Sequence, residues 1–408
     1  MTERSSHRLE SELAAIRVWE PHVKALLHFD EQGARQRAAA AKTGPLAGWS
    51  VAVKDIVDWA GFPTRCNATF MPTTPAAKNA AFLDALLDKG AFVMAKAHTT
   101  TFAYRDPTVT HNPWKLGHTP GGSSSGSAAA VAVGMVRLAI GTQTVASINR
   151  PASFCGVVGF KPSYGTFDKT GVYPLADSAD TMGFFTTDAK DAQTAFAALT
   201  GRKEAPLRHM RVGYITHMRC EPPGADMAEA LESSAKRLKR EGHDVRPVKL
   251  PDICTEAYPN HWTLVAAECA KAHTPWFDRH SAAYPPHLRE MVERGRTIKP
   301  EQIKQIQMHR DRTSAAIDMM FDDFDLLLTP SAPDGAPQGI ESTGDPRMSL
   351  VNAYTGIPSL TLPAGLSTQR LPLGIQLMTR RGRDAALLAA GLAVESLLNF
   401  DLKPEPPK

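Results

Sequence analysis

Three short segments of this chain carry side chains that together could run a hydroxyl-based reaction. They are Val51-Ala52-Val53-Lys54-Asp55, Gly121-Gly122-Ser123-Ser124-Ser125-Gly126-Ser127 and Gly141-Thr142-Gln143-Thr144-Val145-Ala146-Ser147-Ile148-Asn149-Arg150-Pro151. A serine hydroxyl attacks a carbonyl poorly unless a base takes its proton. A lysine is such a base only when burial and neighbours bring its pKa down towards neutrality. A second serine can relay the proton where the lysine does not reach the nucleophile. Ser147, Ser123 and Lys54 supply one group for each job. Taken singly they are ordinary: a strand-end lysine is usually a solvated charge, a loop serine is common, and a Gly/Ser loop reads as a flexible linker. The Gly/Ser loop here is short and runs straight into an Ala-rich helix, whose first backbone N–H groups suit an anion or oxyanion. A phosphate cradle is excluded, because no Gly-Lys-Ser/Thr ending follows.

The surrounding pattern predicts where these residues are held. Trp49–Val53 alternates like a strand and delivers Lys54 at its end. Asn79–Leu87 reads as a helix ending at Gly90, with a strand over Ala91–Ala95. Gly117–Ser127 reads as a loop, Ala128–Val133 as a small-residue helix, Val136–Ile140 as a strand and Gly141–Pro151 as a loop. Helical spacing covers Arg8–Leu27, Met227–Arg240, Ile303–Met320 and Ala385–Leu398; strands are expected near Arg211–Ile215, Phe324–Leu328 and Leu373–Met378. Strands alternating with helices predict an α/β fold with a largely covered sheet. In such sheets the strand ends form the ligand crevice, which is where the three segments fall. With no internal repeat and no clear linker, residues 1–408 read as one domain, with a core over 8–398 and a Pro- and charge-rich tail at 402–408 expected to fray.

Composition narrows the class. Hydrophobic residues make up 43% and charged residues 22%, which is ordinary for a globular chain. The net charge is +4, from 46 Lys+Arg against 42 Asp+Glu, and the charges are interspersed, so no nucleic-acid surface is expected. Five cysteines without a C-x-x-C pair suit free thiols. No H-E-x-x-H or C-x-x-C site is present, so no metal is expected. The N-terminus lacks an apolar signal core, and the most apolar stretches, Ala128–Ile140 and Ala385–Leu398, are too short to span a membrane, so the expectation is a cytoplasmic protein.

The three segments together resemble the amidase signature family, whose mark is a Lys, a Ser in a Gly-Gly-Ser-Ser loop and a second Ser in a following Gly-rich loop. The 24-residue interval from Ser123 to Ser147 is that family's usual one. The run from Pro151 to Gly165 is also similar to it, as are Asn112-Pro113-Trp114, Leu327-Leu328-Thr329-Pro330 and Asn352–Pro358, so the likeness covers residues 8 to 398. The resemblance implies a single large α/β domain with a central mixed β-sheet covered by helices on both faces. It implies that Ser147 attacks an amide carbon to form an acyl-enzyme and that Ser123, in a cis peptide, bridges. It also implies that Lys54 takes the proton and passes it to leaving ammonia. The N–H groups of Thr144, Val145, Ala146 and Ser147 would hold the oxyanion. No cofactor is implied. Two features depart from the usual Asp-Thr-Gly-Gly-Ser-Ile-Arg: Val145-Ala146 replaces the glycine pair, and the arginine falls later, at Arg150. Gln143 and the late Arg150 are similar to the malonamidase-type subgroup, in which the arginine grips a substrate carboxylate and a homodimer is usual. Arg150, with Asn149 and Gln143 beside it, is therefore the expected substrate-binding set. The plain alternative for Arg150 is a salt bridge to a neighbouring acid.

Two other enzyme patterns and one accessory role compete. Gly122-Ser123-Ser124-Ser125-Gly126 fits the G-x-S-x-G elbow of an α/β-hydrolase-type esterase with Ser124 as nucleophile, but that elbow must follow a strand and Trp114–Pro120 reads poorly as one. Ser233-Ser234-Ala235-Lys236 and Lys169-Thr170-Gly171 fit penicillin-binding motifs in the wrong order. A non-catalytic or accessory amidase-like component of an amidotransferase is the remaining reading; it would need partner chains.

Overall fold

A computed structural model describes residues 3–205 and 207–407. Among the described residues eleven strands form one mixed sheet: β1 (Leu26–Phe29), β2 (Ser50–Lys54), β3 (Phe92–Ala97), β4 (Leu138–Gln143), β5 (Val158–Lys161), β6 (Thr181–Thr186), β7 (Arg211–His217), β8 (Asp244–Lys249), β9 (Leu326–Pro330), β10 (Ser359–Leu366) and β11 (Pro372–Met378). Their spatial order is β1-β3-β2-β4-β6-β5-β10-β11-β9-β7-β8. Parallel pairing joins β3, β2 and β4 on one side and β8, β7 and β9 on the other, and antiparallel strands link the two.

Helices cover both faces, so the central strands β2, β3, β4, β5, β6, β9 and β11 are buried at every residue. Burial on both faces removes the polar half of a strand's alternation. The residues of β2 and β4 sort by size instead. Val51, Val53, Leu138 and Ile140 face the larger apolar core, while Ala52 and Ala139 face a core built with Ala128, Ala129 and Ala130 of the helix Ser125–Ala132. Small side chains on both surfaces let that helix lie close to the sheet. Gly126 takes the approach to its limit: a Cβ there would stand 2.2 Å from Ala25 O and 2.6 Å from His98 N, both backbone atoms. Gly126→Ala is therefore expected to cost about 1–3 kcal/mol of stability by overpacking. It should also impair turnover, because Ser123 and Ser124 immediately precede that helix. Thermal unfolding and kcat measured together check this; an unchanged Tm would show that the backbone yields freely.

Four stretches differ from the expectation. The first helix is Glu3–Val23, and Leu26–Phe29 leaves it to pair antiparallel with β3. The Glu20 carboxylate accepts the N–H groups of Ala25 and Leu26 (3.0 and 3.1 Å) and Lys24 turns with φ 52°, so edge pairing overrides the helical spacing. The expected strand Val136–Ile140 is shifted to Leu138–Gln143, which takes Gly141–Gln143 out of the expected loop. The same loop ends early, because Asn149–Cys155 is a helix. Pro151 is tolerated in its first turn, where no intrahelical N–H is needed. Strands β5, β6, β8 and β10 and the helices Glu31–Ala40, Ala189–Thr200, Cys254–His280 and Pro286–Arg296 carried no clear period. Among the described residues no helix is long and apolar enough to cross a membrane.

Candidate active site

β2 and β4 run parallel, side by side, and end at the same edge of the sheet, so Lys54 and Thr142 meet there. Lys54 is fully buried. Its Nζ donates to Ser123 Oγ (2.8 Å), Ser124 Oγ (3.0 Å) and Thr142 Oγ1 (2.7 Å). All three partners are hydroxyls, which accept from an ammonium or a neutral amine and can also donate to the lone pair of the neutral amine. Burial lowers the Lys54 pKa to about 7, and the nearby charge of Asp180 opposes that shift. An amine lowered to this range is chemically able to accept a proton near neutral pH. The peptide bond between Gly122 and Ser123 is cis.

Ser147 follows β4 by four residues and is 8% exposed. The loop carrying it is clamped from behind. Gln143 Oε1 accepts the N–H groups of Ile148 (2.8 Å) and Asn149 (3.0 Å), and Gln143 Nε2 donates to Asn149 Oδ1 (2.6 Å) and Asn352 Oδ1 (3.2 Å). Asn149 Nδ2 donates to Thr361 Oγ1 (3.0 Å). At the front, Thr144 Oγ1 donates to Asp180 Oδ1 (2.5 Å), and His261 Nε2 meets Thr144 O (2.9 Å). Burial raises Asp180 to about 6 and lowers His261 to about 4. Held at both ends, the loop leaves the N–H groups from Thr144 to Ser147 without a protein acceptor among the described residues. Such unpaired donors beside a buried serine are what an oxyanion requires. None of residues 144–148 has a positive φ, so Val145 and Ala146 occupy the loop without the conformations that demand glycine.

A small cavity of about 30 Å³ opens on this loop. Thr144, Val145, Ala146, Ser147, Arg150, Ala103, Tyr104, Arg105 and Trp262 are among its lining residues. A second, mostly apolar cavity, lined by Thr142, Tyr173, Met182 and Asp180 among others, shares Ala103 and Leu175 with it. Gln143 and Asn149, expected to contact substrate, are fully buried and line neither. Their amides are consumed in shaping the loop. Arg150 reaches the first cavity, but its terminal nitrogens are committed: Nη2 donates to Gly122 O (2.7 Å) and Thr343 Oγ1 (3.0 Å), and Nη1 to Gly344 O. It makes no salt bridge to an acid among the described residues, its Nε is buried without a partner, and burial lowers its pKa to about 9. Asp180, His261, Arg105 and Trp262 had no local motif to mark them and enter the site only through the fold; Thr142 lay in a marked segment but had no assigned role.

Ser124 is fully buried, bonded to Lys54, and follows an irregular segment rather than a strand. Ser124 therefore lacks the preceding strand that an α/β-hydrolase nucleophile elbow needs. The family profile described as Amidase matches residues 7–388. The chain belongs to the amidase signature family. The 2-amino-5-chloromuconic acid deaminase of Comamonas testosteroni is 32% identical over 424 residues, covering 93% of this chain and 89% of that one. A glutamyl-tRNA(Gln) amidotransferase subunit from Halothermothrix orenii is 27% identical, covering 94% and 92%. A crystal structure of an amidase is 28% identical with a TM-score of 0.86, covering 95% of each chain. The chain is thus an amidase, a hydrolase of carbon–nitrogen amide bonds, built on one mixed sheet covered by helices.

Proposed function

We propose that this amidase cleaves a small amide to its acid and ammonia through an acyl-enzyme on Ser147. The observation that carries this reading is the contact between a buried Lys54 Nζ and Ser123 Oγ (2.8 Å), at the strand ends beside a loop of unpaired N–H groups. Neutral Lys54 takes a proton from Ser123 as Ser123 takes one from Ser147. The Ser147 oxygen bonds the amide carbon, and the carbonyl oxygen gains its negative charge among the N–H groups of residues 144–147. Collapse breaks the carbon–nitrogen bond, and the proton held by Lys54 returns through Ser123 to the leaving amine. Water then repeats the cycle on the ester. The cavity at Ser147 is small, about 30 Å³, which favours a short substrate. A buried, positively charged Arg150 at its wall favours one with a carboxylate, of the malonamate type. The late Arg150 supports the malonamidase-type subgroup for the same reason, while Gln143 supports it by sequence position alone, its amide being used within the loop.

The purified chain, assayed alone for ammonia release from a panel of primary amides including malonamate, tests this. Turnover without added proteins is the expected result. Turnover that appears only with partner chains would favour the accessory reading, for which the amidotransferase relative is the motive.

A further inference from the structure

The segment 100–106 is strained and points at the nucleophile. Phe102 (φ 47°) and Ala103 (φ 58°) lie in succession in the left-handed region, which is unfavourable for side chains of their size. Backbone strain of this kind persists only where surrounding structure enforces it, and it gathers at functional sites. Here the enforcement is visible. The Phe102 ring is buried against Phe70, His273 and Trp276, and its N–H donates to Cys66 O (3.0 Å). Thr100 Oγ1 donates to Tyr104 O (2.6 Å), closing the turn. The consequence is that Ala103, Tyr104 and Arg105 all line the cavity that holds Ser147.

Arg105 is the exposed one of these three, and among the described residues no carboxylate is bonded to it. The acid next to it in sequence is already engaged: Asp106 is buried and accepts the N–H groups of His287 (3.2 Å) and Leu288 (2.9 Å). The other arginine of the cavity cannot offer its terminal fork, because the Arg150 Nη atoms are bound to Gly122 O, Gly344 O and Thr343 Oγ1. Burial is the main cause of the lowered Arg150 pKa; the charge of Asp345 opposes it and that of Arg105 adds to it, so the two arginines sense each other. Two arginines on the wall of one small cavity, neither bonded to a carboxylate among the described residues, leave a place for an anion, even though the charge of Asp345 also acts on Arg150.

We propose that Arg105 is the specificity residue of this amidase, its guanidinium pairing bidentately with a carboxylate on the substrate, while Arg150 stands behind as a fixed charge. This rests on the reading that Ser147 attacks an amide in the same cavity. A planar guanidinium matches a carboxylate through two charge-assisted hydrogen bonds, which an ammonium cannot reproduce.

The test compares kcat/KM for malonamate and for malonamide, its neutral counterpart, in wild type, Arg105→Ala and Arg105→Lys. The wild type is expected to favour malonamate. Arg105→Ala should lose about 10- to 100-fold more on malonamate than on malonamide, and Arg105→Lys should recover part of the difference. Equal losses on both substrates overturn the proposal. Binding of malonamate to Ser147→Ala and to Ser147→Ala/Arg105→Ala, measured by titration calorimetry, separates this from the catalytic reading. A Kd raised at least tenfold by the second substitution supports Arg105 even if no amide is hydrolysed. An unchanged Kd, or no binding to either variant, sinks the role of Arg105 even where the wild type is active.

Discussion

Ser147→Ala is expected to reduce kcat by on the order of 10⁴- to 10⁶-fold while leaving the fold intact. The side chain is small and sits at the cavity wall, 8% exposed, so its removal takes away one hydroxyl and little packing. What is lost is the atom that must bond the amide carbon. The remaining loop N–H groups and the cavity still bind substrate, which is why KM should change far less than kcat. The direct readout is covalent. Rapid quench with a slow amide or ester, followed by peptide mass analysis, should place the acyl group on the peptide containing Ser147. An adduct on Ser124 would reverse the assignment, although the burial of Ser124 beneath Lys54 and Thr142 stands against it.

Lys54→Met is the second large effect, a fall of about 10²- to 10⁴-fold in kcat/KM, the usual range for a general base. Wild-type kcat/KM should rise with pH through about 7 and then level off, because the working form is the neutral amine and burial sets its pKa near that value. The variant should lose that rise. Stability supplies an independent reading with the opposite sign of benefit. Between about 7, the folded pKa, and 10.5, the ordinary lysine value, the unfolded chain binds a proton at this site that the folded chain does not. Wild-type stability therefore gains from Lys54 as pH rises across that window, and below it the buried amine is a standing cost. Methionine, which never takes the proton, should be the more stable protein at pH 7 and should show a shallower climb towards pH 10. A variant with unaltered pH–rate behaviour would place the base elsewhere. A stability difference independent of pH would mean that Lys54 is not held neutral. Lys161, also buried and lowered to about 7, titrates alike in both proteins and cancels in the comparison.

The placement of these groups explains why chemistry and stability pull apart here. Water would solvate an ammonium; the sheet edge offers Lys54 three hydroxyls and no bonded carboxylate among the described residues. Lys96, one strand away, has Asp55 at 2.8 Å. Side by side in the same sheet, one lysine is paired with a carboxylate and the other is bonded only to hydroxyls.

How far the sequence went follows from the range of each determinant. The types and interval of Lys54, Ser123 and Ser147, and the α/β alternation, are local or nearly so, and they suffice for the family and the sheet. Long periodic helices such as Ala225–Arg240 and Asp384–Leu398 were legible within a residue or two for the same reason. Short strands buried on both faces, β5 and β6, carry no alternation to detect. The strand Leu26–Phe29 is extended only because β3 offers it an edge. The roles of polar side chains were the least legible. Gln143 and Asn149 stand beside the nucleophile in sequence, yet their amides turn inward to Asn352 and Thr361, some two hundred residues away. Arg150 likewise spends its fork on carbonyls from two other loops. Arg105 is 42 residues upstream of Ser147 in a segment without a motif, and a strained turn alone brings it to the cavity. Residue type and spacing determined which reaction the chain can perform. Which side chains are free to meet a substrate was decided by the tertiary structure, because a polar group buried in a fold bonds whatever acceptor the fold brings to it.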